Sequence, residues 1–129
     1  MTMKSEPFHL RPEGEKAFGY AQAVRRGDTL YVAGTLAVDE GFAPIHAGDM
    51  AGQIEAAYAA IRDTLAAHGG TLADVVRETV YVTDMDAFIA ANGARMAAYA
   101  GWLPAATAVE VKRLAFPEAM VEIEVTAIL

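Results

Sequence analysis

The last segment of the chain alternates between aliphatic and polar residues, and this alternation constrains the fold more than any other feature. The aliphatic set is Val121, Ile123, Val125 and Ala127, and the polar set is Glu122, Glu124 and Thr126. Because successive side chains of a β-strand point to opposite faces, a period of two places each set on its own face. The segment therefore predicts a strand with one face in the core and two glutamates on the other.

The N-terminal third predicts an arm followed by a β-hairpin. Residues 1–16 are polar and contain two prolines and a glycine, which indicates an arm rather than a packed element. The runs FGYAQAV and TLYVAG, residues 18–24 and 29–34, flank Gly27 and Asp28, and a Gly-Asp pair favours a tight turn. Residues 35–48 have the glycines and proline of a loop.

Two helices with a strand between them are predicted next. Asp49 is a candidate N-cap for a helix to about His68, which Gly69 would end. Residues 74–84 indicate a strand, and a second helix runs from Asp84 or Asp86 to about residue 100. The strand's inward set is Val76, Val80 and Val82, interrupted by Glu78, and the second helix's apolar stripe is Phe88, Ala91, Asn92, Met96 and Tyr99.

The order of the elements predicts an α+β fold. Two further strands, about 105–112 and 119–128, complete the order ββαβαββ, which implies one mixed sheet with both helices on a single face. A length of 129 residues suits a single domain, 1–129. The side chains of the uncovered sheet face suit either water or another subunit. They are Arg77, Thr79, Tyr81, Glu122, Glu124 and Thr126.

Composition excludes several classes of function. A net charge of −7 argues against nucleic acid as a partner, because phosphates repel an acidic surface. The chain has no cysteine, and His9, His46 and His68 lack the spacing of metal ligands, so we expect no metal site. No apolar run is long enough to span a bilayer, which makes a cytoplasmic protein with no membrane partner the expectation. A hydrophobic content of 54% suggests an oligomer.

Four segments, in this order, resemble the RidA family, also called YjgF or endoribonuclease L-PSP. They are GYAQAVRRGDTLYVAG, AGQIEAAYAAIRDTLAAHGG, DVVRETVYVTDMDAF followed by Asn92, and PAATAVEVKRLAFPEAMVEIEVTA. The resemblance covers about residues 18–128. It implies a chorismate-mutase-like fold, a homotrimer whose sheets line a central barrel, and small-molecule clefts between subunits. It also implies hydrolysis of imines or enamines released by pyridoxal-phosphate enzymes, with no cofactor.

The chain departs from the family's motif at the residue that grips the substrate carboxylate. The usual motif is Pro-Ala-Arg-Ser, whereas this chain has Pro104, Ala105, Ala106 and Thr107, so Ala106 replaces the arginine. Each charge-assisted hydrogen bond of a guanidinium contributes about 1.5–3 kcal/mol, which alanine cannot supply. We therefore expect activity on α-imino acids to fall steeply. The family's Ser-Gly is also altered, to Ala33-Gly34.

Three cations near Ala106 in the sequence are candidates to replace the missing arginine. Lys112 and Arg113 are five to seven residues along the strand, roughly 17–24 Å away in an extended chain, so neither substitutes easily. Arg95 lies on the second predicted helix. The sequence therefore predicts a neutral methyl group where relatives present a positive charge.

The resemblance carries over to Tyr20, Gly34, Thr107 and Glu122, which match motif positions. Glu122 is the candidate catalytic acid–base, and the alternative is a sheet glutamate paired with a neighbouring cation. Tyr20 is the second catalytic candidate, as a hydrogen-bond donor that closes the cleft. Gly34, Ala106, Thr107 and Phe88 are the candidate substrate-binding residues, although Phe88 also suits the core and threonine favours strands. Glu124 has a structural role, with Arg77 as its candidate partner.

The leading hypothesis is a deaminase-like hydrolase of imines or enamines with an altered substrate preference. The alternative is a metabolite-binding or scaffold trimer that has lost the reaction, which Ala33 and Ala106 favour because both lack the expected polar group. Endoribonuclease activity ranks last because of the acidic charge.

Overall fold

Six strands join one mixed sheet in the computed structural model, which describes residues 4–129. The strands are β1 (Glu6–Phe8), β2 (Ala23–Arg26), β3 (Thr29–Leu36), β4 (Val75–Val82), β5 (Ala105–Glu110) and β6 (Val121–Ile128). The helices are α1 (Pro12–Phe18), α2 (Met50–Ala66) and α3 (Met85–Tyr99), and a 3₁₀ turn covers Leu72–Asp74. In space the strands follow the order β1-β2-β3-β6-β4-β5, and β4 and β5 are parallel. The α+β fold and the order ββαβαββ are confirmed, with β1 and α1 added before them.

The alternation in β6 places its two sets of side chains as predicted. The strand lies between β3 and β4 and pairs antiparallel with both. Val121, Ile123, Val125 and Ala127 are buried in the core, whereas the glutamates between them are half-buried on the other face. Because β6 has a partner on each side, its backbone groups are paired in the middle of the sheet.

Both long helices begin at the predicted caps. The Asp49 carboxylate accepts a hydrogen bond from the Gly52 backbone N–H, and the Asp84 carboxylate accepts one from Ala87. The apolar stripe predicted for α3 is wrong at Met96, whose side chain is 52% exposed. Its neighbour Arg95 takes the inward position instead, because its partner Glu78 lies there.

The N-terminal segment is more ordered than the predicted arm over 1–16. It contains β1 and α1, and Phe18 ends α1 instead of beginning a strand. The cause is Glu15, a buried carboxylate that accepts hydrogen bonds from the backbone N–H groups of Arg11 and Gln22 and contacts the His9 ring. A polar residue thus becomes an internal anchor, which a hydrophobic pattern does not reveal. Residues 1–3 of the predicted arm lie outside the described part of the chain.

A bulge in β4 changes which of its residues face the core. The pairing of β4 with β6 shifts between Val75 and Arg77, so Val75 is buried and Val76, predicted to point inward, is 47% exposed. Beyond the bulge the predicted inward set is correct. It includes Glu78, which is completely buried.

Glu78 is accommodated in the core because three hydrogen bonds and an ion pair satisfy its carboxylate. The hydroxyls of Tyr58 on α2 and Tyr99 on α3 both donate to Oε1. Arg95 donates to Oε2 from Nε at 2.8 Å and lies 2.6 Å away through Nη2. Burial, followed by the charge of Glu78, raises the pKa of both tyrosines, so their hydroxyls remain donors. The cluster joins both helices to β4.

Removing one partner of this buried pair should destabilise the fold strongly. Arg95→Met leaves the Glu78 carboxylate without its cation, and we expect the free energy of unfolding to fall by about 3–5 kcal/mol. The double variant Glu78→Gln/Arg95→Met removes both charges, while the Gln oxygen still accepts from the two tyrosines. It should recover much of the loss in urea unfolding. If the free energy of unfolding of Arg95→Met lay within about 1 kcal/mol of the wild-type value, as for a surface ion pair, the role given to the pair would be contradicted.

Candidate active site

One cavity that contains predicted site residues has mostly aromatic and aliphatic walls. Its volume is about 370 Å³. It is lined by Phe18, Tyr20, Ala33, Gly34, Leu36, Phe42, Ala115, Phe116 and Glu122. We call it the aromatic cavity. It brings together three of the six predicted site residues, Tyr20, Gly34 and Glu122.

Glu122 is the acidic group of the aromatic cavity. It lies on β6 between Leu36 of β3 and Tyr81 of β4. Burial raises the pKa of Glu122 above that of an ordinary glutamate, and the negative charge of Glu124 adds to the effect. The ion pairs of residues 4–129 join His9 to Glu15, Arg11 to Glu40 and Arg95 to Glu78, and Glu122 is in none of them. The structure therefore gives no support to a paired structural glutamate at this position.

Tyr20 supplies a hydroxyl to the same cavity. Gly19, in the left-handed conformation, ends α1 and turns the chain towards Tyr20. Burial, and then the charges of Glu15 and Glu122, raise the pKa of Tyr20 to about 12. At neutral pH the phenol is therefore protonated, so its role is that of a hydrogen-bond donor and not of a base.

Gly34 leaves room for the Glu122 carboxylate. A Cβ atom at Gly34 would overlap Oε1 and the carboxyl carbon of Glu122. The pairing of β3 with β6 is irregular between Val32 and Thr35, and Gly34 lies within that irregularity. Glycine is thus required here for the position of the acid and not for a turn.

Sequence reasoning missed the aromatic walls. Phe18 stacks on Phe42 with ring centroids 5.5 Å apart, and it meets Phe116 edge-on at 6.4 Å. Phe18 is 60% exposed although it packs on both rings, so it forms the outer rim of the cavity. These residues come from α1 and two loops, and only the folded chain brings them together. Of the described residues that line the cavity, none is lysine or arginine.

The other three predicted residues line a second cavity, between α3 and β5. Its volume is about 160 Å³. We call it the edge cavity, and its walls are Val80, Phe88, Asn92, Arg95, Ala106, Thr107 and Ala108. Phe88 is largely buried and serves both the core and this cavity. Within one chain, the predicted site is therefore divided into two parts.

Of the three cations considered as replacements for the missing arginine, Arg95 lines the edge cavity together with Ala106, so the methyl group does not lie in neutral surroundings. Ala106 is the register partner of Glu78, so the arginine that pairs with Glu78 lies close to the Ala106 methyl group. Burial works against the charged form, but the hydrogen bond and charge of Glu78 outweigh it and raise the pKa of Arg95. The guanidinium thus remains charged.

The predicted pairing of Glu124 with Arg77 is also wrong. Glu124 accepts a hydrogen bond of 2.6 Å from the Tyr81 hydroxyl, and Arg77 donates to the Thr107 hydroxyl at 2.8 Å. Both contacts run diagonally between neighbouring strands. Arg77 lies opposite Thr126 on β6 and beside Ala105 on β5, whereas Glu124 lies opposite Thr79.

Two of the three histidine rings have local partners. His9 contacts Glu15, and His68 at the end of α2 lies 2.8 Å from the Thr64 carbonyl through Nδ1. Within residues 4–129, no three side chains of His, Cys, Asp or Glu are close enough to share a metal ion. None of the helices described over the same residues has the length and apolar character needed to cross a membrane.

Comparisons with known proteins agree on one family. The family described as Endoribonuclease L-PSP matches residues 11–129. A RutC family protein of Pyrococcus horikoshii is 35% identical over 108 residues, which are 84% of this chain and 85% of that protein. A solved YjgF-family structure from Mycobacterium tuberculosis has a TM-score of 0.84 and 34% identity, covering 98% of this chain and all of the other. RidA from an Antarctic Psychrobacter has a TM-score of 0.79 and 32% identity, with 86% and 89% coverage.

Substitution of Gly34 should displace Glu122 without unfolding the protein. The overlap in Gly34→Ala is with a flexible side chain, so we expect Glu122 to rotate towards water and its pKa to fall towards the ordinary value. A carboxyl NMR titration measures this pKa. Gly93→Ala is the matched control, since a Cβ atom there meets nothing within 4 Å. An unchanged Glu122 pKa in Gly34→Ala would refute the steric argument.

The raised pKa of Glu122 should make the stability of the fold depend on pH. The folded protein holds the Glu122 proton more tightly than the unfolded chain does. Binding of this proton therefore stabilises the fold in acid, and this stabilisation is lost as pH rises through the pKa of Glu122 in the folded state. Glu122→Gln, which has no charge to bury, should therefore be more stable than wild type at pH 8. The difference should shrink as pH falls towards 4.5, the ordinary glutamate value. Urea unfolding checks this, with exposed Glu118→Gln as the control, and equal stability of Glu122→Gln and wild type at pH 8 would contradict it.

Proposed function

The chain belongs to the endoribonuclease L-PSP family, also called the RidA or YjgF family, and we propose that it hydrolyses a small imine or enamine. The observation that carries the proposal is Glu122, a half-buried carboxyl group with a raised pKa at the wall of the aromatic cavity. Catalytic acids commonly have such environments, because burial keeps their proton available nearer to neutral pH. The RNA cleavage in the family's name suits a net charge of −7 poorly.

The reaction requires one proton donor that later accepts a proton. Protonated Glu122 gives its proton to the imine nitrogen, or to the β-carbon of an enamine, which makes the C=N carbon electrophilic. Water then attacks that carbon, and the Glu122 carboxylate takes the proton that water releases. Collapse of the carbinolamine yields a carbonyl compound and ammonia. Tyr20 is protonated because its pKa is about 12, and it donates a hydrogen bond to a lone pair of the reacting oxygen or nitrogen atom.

The complete site is proposed to form between subunits of a homotrimer. Each chain carries the aromatic cavity at one place and the edge cavity at another, and the family resemblance implies clefts shared by neighbours. Large exposed apolar side chains support assembly, among them Tyr31 on the open sheet face and Trp102 and Leu103 before β5. In such a trimer, Glu122 of one subunit would face Ala106 and Thr107 of the next.

The substrate is proposed to carry an apolar or aromatic group. The walls around Glu122 are phenylalanine, leucine and alanine side chains, and the residues within 4–129 that line this cavity include no lysine or arginine. Arg11 lies in an adjoining cavity, where it pairs with Glu40. An α-imino acid would bring its carboxylate close to the Glu122 carboxyl group, which disfavours the charged form of either. Imines with uncharged substituents therefore fit the cavity better.

A metabolite-binding trimer without catalysis is the second candidate. It is favoured by Ala33 and Ala106, each of which lacks the polar group that the family motif has at that position. Thermal shifts with neutral and acidic ligands separate the two functions. Stabilisation by a neutral aromatic amine or ketone, with no ammonia release from any imine, would favour binding alone.

Replacing Glu122 should abolish hydrolysis while the fold is kept. Imines are generated by an amine or amino-acid oxidase, and the carbonyl product is trapped with semicarbazide. Wild type should accelerate hydrolysis of imines with apolar substituents, and Glu122→Gln should lower the rate by about 10²–10⁴-fold. Glu118→Gln, an exposed glutamate that does not line the aromatic cavity, is the matched control and should retain activity. Wild-type rates equal to those without protein, for all imines, would remove the proposed reaction.

The rate should also report the protonation of Glu122. Because the acid form starts the reaction, kcat/KM should fall as pH rises through the raised pKa of Glu122. In Gly34→Ala, where this pKa is expected to be lower, the fall should begin at lower pH. A rate that is flat with pH, or that moves in the opposite direction in the variant, would assign the proton transfer to another group.

A further inference from the structure

We propose that the edge cavity is a subsite for a neutral hydrogen-bond acceptor, of the carboxamide class, and that Arg95 selects it over a carboxylate. The inference rests on the proposed function only in assigning this group to the substrate. The binding preference itself follows from the described residues of the cavity and can be measured without any reaction.

Arg95 presents donors to the cavity. Its guanidinium is held from behind by one Glu78 oxygen, which accepts a hydrogen bond from Nε and lies 2.6 Å from Nη2. The ring of Tyr99 lies 5.3 Å from the guanidinium carbon and fixes its plane. The Nη1 group is not used in the contact with Glu78, and Arg95 is part of the cavity wall. A ligand oxygen beside Ala106 would therefore meet a guanidinium that is already oriented.

The charge of Arg95 is cancelled by Glu78. Glu78 is completely buried and its oxygen lies 2.6 Å from Nη2, so the two charges act on the cavity as a pair. A second carboxylate in the cavity would feel the attraction of Arg95 and the repulsion of Glu78 at similar distances, in surroundings that screen charges poorly. A neutral carbonyl oxygen accepts the same hydrogen bond without this repulsion.

Asn92 completes a site suited to a carboxamide. Thr107 adds to the wall beside Ala106, but its hydroxyl points to the other sheet face, where it accepts from Arg77. Asn92 carries both a donor and an acceptor on the cavity wall, so it can pair with the N–H of an amide. The Thr107–Arg77 contact is exposed to solvent, where water and salt screen the charge of Arg77. Ala106 and Ala108 leave the space that this group would fill.

The test compares isobutyramide with isobutyrate, two probes of nearly equal shape that differ in charge. Binding is followed through the backbone amide NMR signals of Asn92, Ala106 and Thr107 in the full protein as it assembles in solution. We expect isobutyramide to bind at least about tenfold more tightly, a ratio set by the charge of Glu78. Equal or tighter binding of isobutyrate overturns the proposal. So does the absence of shifts at these three amides with either probe up to its solubility.

Two variants test the cause of the preference. Glu78→Gln removes the cancelling charge while its amide oxygen still accepts from Arg95, so isobutyrate should gain affinity over isobutyramide. Ala106→Arg adds an uncompensated charge at an exposed strand position, and it should reverse the preference even if Glu78→Gln fails to fold. Ala105→Arg is the control, because its side chain points to the other sheet face and should leave the ratio unchanged. An unaltered ratio in Ala106→Arg overturns the proposal.

Failure of this inference can be distinguished from failure of the proposed reaction. If Glu122 hydrolyses imines but the two probes bind equally, the subsite is wrong and the reaction stands. If isobutyramide is preferred and Ala106→Arg reverses the preference, while no imine is hydrolysed, the subsite is correct and the protein is a binder.

Discussion

The buried pair of Glu78 and Arg95 is the interaction on which much of the structure depends. It holds β4 to both long helices, because Tyr58 of α2 and Tyr99 of α3 donate to the same carboxylate. A charged group that is excluded from water must find its partners inside the fold, so this requirement fixes the rotation of α3 against the sheet. It accounts for Met96 pointing to solvent and for a guanidinium, instead of an apolar side chain, beside β5.

The two cavities differ in their electrostatics as a consequence. The aromatic cavity contains an acid whose pKa burial has raised, with no compensating cation among the described residues of its lining. The edge cavity contains a cation whose charge is balanced from within the core. Neither part offers the uncompensated positive fork that would bind a carboxylate. The replacement of the family's arginine by Ala106 is therefore only part of the difference from the family motif, because the other charges of the two cavities do not favour a carboxylate either.

The sequence predicted the family, the α+β fold and the confirmed elements because their signals are local. The period of two in β6 and the caps Asp49 and Asp84 act over a few residues, and the comparisons confirm the family. The N-terminal strand and helix were missed because Glu15, which anchors them, is a polar residue that accepts hydrogen bonds from backbone N–H groups. A pattern of hydrophobic side chains does not reveal such contacts. Val76 was misplaced because a bulge depends on the pairing with β6, and Glu124 was misassigned because its partner depends on register.

Taken alone, the chain determined which residues are candidates for the chemistry: the acid at position 122, the glycine at 34, and alanine in place of arginine at 106. Only the tertiary structure decided how these residues are grouped, with Glu122 among phenylalanines from three separate segments and Ala106 beside Arg95. The physical reason is that propensity and periodicity act along the chain, whereas burial, charge compensation and cavity shape depend on which segments pack together. The pKa of Glu122 and the net charge beside Ala106 are properties of that packing.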